Sequence, residues 1–201
     1  MRIWTIGHST RTIDEFISLL KESEIKLLAD VRAWPGSKRY PHFKKDALAE
    51  SLKAHGIRYE HFPELGGKRK SKPDSRNTGW RNASFRGYAD YMETEQFQKG
   101  IERLLAFAKS HGPPQDGFAA ANSGSPEGFR GWEAVTPWGT AIMCAEAVWW
   151  RCHRSLISDY LKARGVKVLH ILGASKVDLH PYTPAARIVN GELSYAAESL
   201  L

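Results

Sequence analysis

The sequence predicts an α/β fold: a mostly parallel five-stranded sheet with helices on both faces and a β-hairpin at the C-terminus. Three observations lead there. Short, apolar, β-rich runs alternate with segments of helical periodicity. Such alternation implies right-handed βαβ units stacked in a Rossmann-like three-layer arrangement. The dipeptide Asn190-Gly191, set between two short β-rich runs, suits a two-residue hairpin turn.

The elements follow in order. Residues 2–7 form a buried type of strand. Thr12-Ile13-Asp14-Glu15 fits a capping box, and Ile13, Phe16, Ile17 and Leu20 then share one helical face. A second strand covers 26–31 and ends in Asp30-Val31-Arg32, before a loop marked by Pro35, Gly36 and Pro41. Asp46 is placed to cap the next helix, with Leu48 and Leu52 inward and Gly56 at its C-terminus. Residues 58–62 make a third strand. After a basic loop at 66–81, helices are expected at about 84–92 and at 95–109, the second with Phe97, Ile101, Leu104 and Leu105 in helical period. The stretch 112–139 is rich in Gly, Pro, Ser and Asn and is expected as a mobile insertion. A fourth strand (140–144), a helix (152–164) closed by Gly165, and a fifth strand (166–172) complete the sheet. Residues 186–189 and 192–195 form the hairpin.

A chain of 201 residues, 42% hydrophobic and 25% charged, is expected to fold as one globular domain, 1–201. No apolar run approaches the roughly 18 residues that span a bilayer, and the start is not a signal peptide. Two cysteines are too few for a disulfide scaffold, which predicts a reducing, cytoplasmic setting. The net charge of +7 is concentrated. Lys68, Arg69, Lys70, Lys72, Arg76, Arg81 and Arg86 face only Asp74 between Gly66 and Gly87, so an anionic small molecule or a nucleic acid is a fitting partner.

Ligands of parallel sheets bind outside the carboxyl ends of the strands. Those ends carry His8 and Ser9, Asp30 and Arg32, His61 and Glu64, Cys144 and Glu146, and His170. Cys152, at a helix start between Arg151 and Arg154, meets the conditions that lower a thiol pKa; its alternative is a buried cysteine at a packed junction. Cys144 divides in the same way between nucleophile and core. His8 is a candidate base or a loop histidine bonded to backbone. Glu146 and Glu64 serve as acid or base, or pair with Arg32, Arg86 or Arg154. Cys144, Cys152, His153 and His8 could converge on a metal, although their spacing is not that of a zinc knuckle. Trp80, Phe85 and Tyr88 interleave with Arg81 and Arg86, a pattern that either stacks bases or tucks aromatics into the core.

Several blocks together carry a family resemblance. They are Thr5-Ile6-Gly7-His8-Ser9, Leu28-Ala29-Asp30-Val31-Arg32, Pro63-Glu64-Leu65-Gly66-Gly67, and Asn77-Thr78-Gly79-Trp80-Arg81-Asn82-Ala83-Ser84-Phe85-Arg86-Gly87-Tyr88. Cys144-Ala145-Glu146 through Cys152-His153-Arg154 and the tail His180-Pro181-Tyr182-Thr183-Pro184 complete the set. The chain resembles the bacterial and archaeal family known as domain of unknown function four-eight-eight, departing from it by the inserted 112–139. The resemblance implies the fold and the pocket but no reaction. A looser analogy links Asp30-Val31-Arg32, Cys144 and Arg154-Ser155 to rhodanese-like sulfur carriers, with a longer cysteine loop here.

The leading expectation is a thiol-dependent enzyme with an Arg-rich anion pocket, for sulfur transfer or hydrolysis of an anionic substrate. Cys144, Cys152, His8 and Glu146 are its catalytic candidates. Asp30, Arg32, Glu64, Arg81, Arg86, Tyr88, His153 and Arg154 are expected to bind substrate, with neither cofactor nor metal. The alternatives are a nucleic-acid or nucleotide binder using 66–88 and, more weakly, a metal-dependent enzyme. No P-loop, dinucleotide fingerprint or Ser-His-Asp triad is present.

Overall fold

Alternating burial along the strands sorts their side chains into two apolar layers. A computed structural model describes residues 1–109 and 139–197. Strands β1 (Arg2–Gly7), β2 (Ile25–Asp30), β3 (Arg58–His61), β4 (Gly139–Cys144), β5 (Lys167–Gly173) and β6 (Lys176–Leu179) form one sheet in the order β3-β2-β4-β1-β5-β6. Ile6, Leu28, Ala141, Met143 and Ile171 face one side, where Phe16, Ile17 and Leu20 of α1 (Ile13–Glu22) and Leu48 and Leu52 of α2 (Lys45–Lys53) cover them. Ile3, Leu27, Ala29, Ile142, Cys144 and Val168 face the other, under α3 (Ala83–Met92), α4 (Glu95–Lys109) and α5 (Arg154–Ala163). The Rossmann-like three-layer expectation holds.

The sheet has six strands, not five. β6 pairs antiparallel to β5 at the edge after a turn at Ser175, whose φ is +53°. All four of its residues are exposed, so it carries no buried apolar run to mark it. The hairpin β7 (Arg187–Val189) and β8 (Glu192–Ser194) forms as expected, with Asn190 and Gly191 both at positive φ. The Thr12 capping box is present. Asp46 is not a cap: Lys44 precedes α2, because the 3-10 turn Pro41–Phe43 brings the chain in one step earlier, and Asp46 lies in the first helical turn. The expected insertion, apart from Gly139, lies outside the described residues.

The basic loop at 66–81 combines exposed cations with an anchored backbone. Lys68, Lys70, Lys72 and Arg76 are exposed, but the loop is tied to α3 through Asp90. That buried carboxylate accepts from Ser75 Oγ, from Asn77 Nδ2 at 2.9 Å and from the Lys72 backbone N–H at 2.8 Å. Burial alone would raise the Asp90 carboxyl. The Ser75 and Asn77 donors, with Lys72, outweigh it and hold the group below its ordinary value. A carboxylate held low stabilises the fold above its ordinary pKa of 3.8 and loses that contribution as pH falls below it. Loop 66–81 should therefore loosen first in acid. At neutral pH, Asp90→Ala should release it, seen as faster tryptic cleavage after Lys70 and Arg76; cleavage at the wild-type rate would contradict the tether.

Candidate functional site

The chain leaves the neighbouring strands β1 and β4 in opposite directions, through α1 toward β2 and through α5 toward β5. Such divergence opens a crevice at the carboxyl edge. A cleft of about 640 Å³ lies there, lined among others by Arg32, Trp34, Lys68, Cys144, Cys152 and His153. Its size is that of a small-molecule site.

Cys144 is the last residue of β4, on the α3–α5 side of the sheet. From there the chain runs to a 3-10 turn, Trp149–Arg151, and Cys152 closes that turn with an extended backbone. Helix α5 thus begins at Arg154, two residues later than the sequence suggested, because the turn uses up the intervening residues. Cys144 Sγ, Cys152 Sγ and a His153 ring nitrogen all lie within 4.8 Å of one another. The His153 ring is oriented by its far side. Nε2 donates to the Val31 carbonyl at 2.9 Å, which turns Nδ1 toward Cys152 Sγ at 3.5 Å. The backbone of Gly67 passes so close that a Cβ there would stand 2.8 Å from Nδ1. A Gly at 67 is what allows the basic loop to close over the imidazole.

Beneath the cysteines lies Arg154, 1% exposed. One of its amino groups donates to the Glu146 carbonyl. Its Nε has no partner, and Arg154 makes no ion pair among the described residues. A buried cation without a counter-charge is costly, and a thiolate beside it supplies one. The two thiols, 7% and 4% exposed, respond in opposite senses. Cys144 is pushed well up by its hydrogen bond to Cys152 and by burial. Burial also pushes Cys152 up, but the bond from Cys144, the adjacent His153 and Arg154 outweigh it and hold Cys152 well below a normal thiol. Cys144, Cys152 and His153 could also hold a soft metal ion.

The other expected residues divide. Glu146 and Tyr88 line the cleft. Arg32 reaches it, but its guanidinium is held from behind: Nε and Nη2 bond Asp30, at 2.6 Å for the shortest, and Nη1 donates to the Phe43 carbonyl. Tyr59 closes the group by donating to Asp30 at 2.7 Å. Asp30 thus holds Arg32 in place and does not itself line the cleft. His8 stacks on Phe43, and its Nε2 faces Arg32 at 3.4 Å. Burial and then Arg32 lower it to about 4, so it is neutral at neutral pH and braces Arg32. Glu64 is not brought to the cleft. The 3-10 turn Pro63–Leu65 rotates it toward α4, where it pairs with Arg103. Arg86 bonds the Arg81 carbonyl, and neither arginine lines the cleft. Trp80 packs on Phe85 at 4.8 Å and on Tyr195 at 5.7 Å.

A buried polar chain went unrecognised in the sequence. Asp159 accepts from His180 Nε2 at 3.0 Å, from the Thr183 N–H and hydroxyl, and from the Tyr195 hydroxyl. With Asp159 as acceptor, His180 Nε2 carries the proton and Nδ1 accepts from His170 Nε2 at 2.9 Å; His170 Nδ1 then accepts from the Thr5 hydroxyl at 2.7 Å. Burial, with His180 and Arg154, holds His170 far below its ordinary range and hence neutral. Trp149 lies flat on His170, ring centroids 4.3 Å apart and planes 8° from parallel. The chain is therefore a platform under the turn that carries Cys152. Its signal in the sequence was Ser155, Ser158 and Asp159 on one face of a helix whose apolar residues are buried.

A family model described as a domain of unknown function, DUF488, matches residues 12–113 and 127–161, together 137 of the 201 residues. The motifs at Thr5 to Ser9 and from His180 onward lie outside that match. No curated protein and no solved structure matches the chain. Among the described residues no helix is long and apolar enough to cross a membrane.

Proposed function

The chain belongs to the DUF488 family of domains of unknown function, and from that premise we propose a thiol-dependent enzyme whose nucleophile is the Cys152 thiolate and whose cleft takes an anionic substrate. The observation that carries this reading is Arg154, a buried guanidinium with no carboxylate partner among the described residues, placed beside two thiols. In low dielectric that positive charge favours the thiolate, as do His153 and the thiol of Cys144. Lys68 and Arg151, both exposed, line the same cleft and draw an anion toward it. Trp34, 72% exposed, stands at the cleft with the Lys68 ammonium 5.2 Å over its ring. Glu146 is the acidic group among the lining residues and is placed to pass a proton to or from the substrate.

Alkylation of the reduced protein by iodoacetamide as a function of pH tests the nucleophile, with Cys152→Ser as control. Cys152 should already be modified at pH 6.5, where an ordinary thiol with a pKa of roughly 8.5 is almost wholly protonated, and Cys144 should not. A rate that climbs only above about pH 8 would return Cys152 to the core.

A further inference from the structure

Two thiols facing one another in the same cleft are more than one nucleophile needs. Cys144 and Cys152 lie eight positions apart, on a strand end and on a separate turn, yet their sulfurs are within 4.8 Å and both line the cleft. A second thiol so placed discriminates among covalent intermediates. An acyl or phosphoryl group on Cys152 would only pass between the two sulfurs, with nothing gained, and water or an amine would have to finish the reaction. An intermediate joined through sulfur is different, because a neighbouring thiolate cleaves a sulfur–sulfur bond directly.

We propose that Cys144 is the resolving thiol for Cys152, and that the substrate is an anionic sulfane-sulfur donor whose outer sulfur passes through a Cys152 persulfide. This rests on the Cys152 nucleophile proposed above. In the first step the Cys152 thiolate attacks the sulfane sulfur of a thiosulfonate-type donor. The new sulfur–sulfur bond forms as the donor's breaks, and the oxidised fragment departs with the bonding pair as a sulfinate, or as sulfite from thiosulfate. In the second, Cys144 gives up its proton and attacks Cys152 Sγ. The Cys144–Cys152 disulfide forms, and the outer sulfur leaves as hydrosulfide carrying that proton. The two electrons that the thiols gave to the departing sulfur return from an external dithiol, which reduces the disulfide and restores both thiols.

The site is arranged for that order. The Cys144 sulfur lies within 4.8 Å of Cys152 Sγ, so it is at hand once the outer sulfur is in place. Arg154, buried and without an ion pair among the described residues, supplies a positive charge for the thiolate that Cys144 must become. Among the described lining residues, Lys68 and Arg151 stand with the Asp30-paired Arg32 against the one acidic side chain, Glu146, which suits a donor bearing negative charge. Its 640 Å³ leaves room for an organic group beside Trp34, Phe85 and Tyr88.

The test is a single turnover of the fully reduced chain with thiosulfate, without added reductant. Wild type should release one sulfite and one sulfide per chain and end with a Cys144–Cys152 disulfide in a non-reducing peptide map. Cys144→Ser should release sulfite but no sulfide and retain a persulfide on Cys152. Cys152→Ser should release neither. Sulfide release by Cys144→Ser at the wild-type level would overturn the resolving role. A wild-type chain whose Cys152 is alkylated near pH 6.5 but which releases no sulfite would overturn the sulfur-donor assignment and leave the nucleophile standing. Failure of the alkylation itself would remove both.

Discussion

Asp159→Ala should lower the stability of the fold by about 3–5 kcal/mol, the range for removing one partner of a fully buried polar or ionic group. Asp159 is 0% exposed and accepts from His180, twice from Thr183, and from Tyr195. Alanine would leave all of these donors without an acceptor in a dry interior, and each orphan carries its own desolvation cost. The carboxylate also sets the direction of every proton from His180 through His170 to Thr5, so its loss frees the rings to adopt other tautomers. Because Trp149 rests on His170, the turn carrying Cys152 should loosen as well. Urea unfolding reads the first effect and Cys152 alkylation near pH 6.5 the second. Asp159→Asn separates them from simple cavity formation, since it keeps the volume but turns a donor toward donors. Wild-type stability in both variants would show that the chain of histidines is dispensable.

The second large effect is expected at Gly7→Ala. A Cβ built on Gly7 would stand 1.8 Å from the Glu146 carbonyl oxygen and 2.8 Å from that of Ala147, backbone that no side-chain rotation can move aside. The cysteine loop would have to retreat from β1, breaking the Arg154 bond to the Glu146 carbonyl and the Ser9 N–H bond to Ala145. Overpacking of this kind costs about 1–3 kcal/mol or more. Displacing Arg154 from the thiols should also cut Cys152 alkylation near neutral pH on the order of ten-fold, as its pKa returns toward that of an ordinary cysteine. Gly173→Ala is the control: nothing lies within 4 Å of a Cβ built there. Equal melting temperatures and equal alkylation rates in the two variants would show that the loop does not depend on Gly7.

Patterns of adjacent residues were legible, and contacts between distant ones were not. Thr12 through Glu15 specified a capping box because both halves of that motif lie within one turn. The apolar period of 95–109 matched α4, since one face of that helix is buried along its length. Cys144 and Cys152 could be placed near one another because each follows directly from a strand end or a helix start. Glu64 was assigned to the cleft from its position just after β3, and a single 3-10 turn sent it to Arg103 instead. Arg81 and Arg86 were read as binding groups from composition, which does not say which way a helix start faces.

The sequence by itself determined the layered α/β architecture and the gathering of the strand-end residues, both cysteines among them, at the carboxyl edge of the sheet. Those follow from local periodicity and from the rule that parallel strands end on one side. Only the tertiary structure decided that Asp30 holds Arg32 and His8 braces it, and that Arg154 is buried without a carboxylate partner among the described residues. Each depends on which groups a side chain meets once water is excluded. Burial and pairing shift a titrating group in opposite directions, so no count of charges along the chain predicts the outcome.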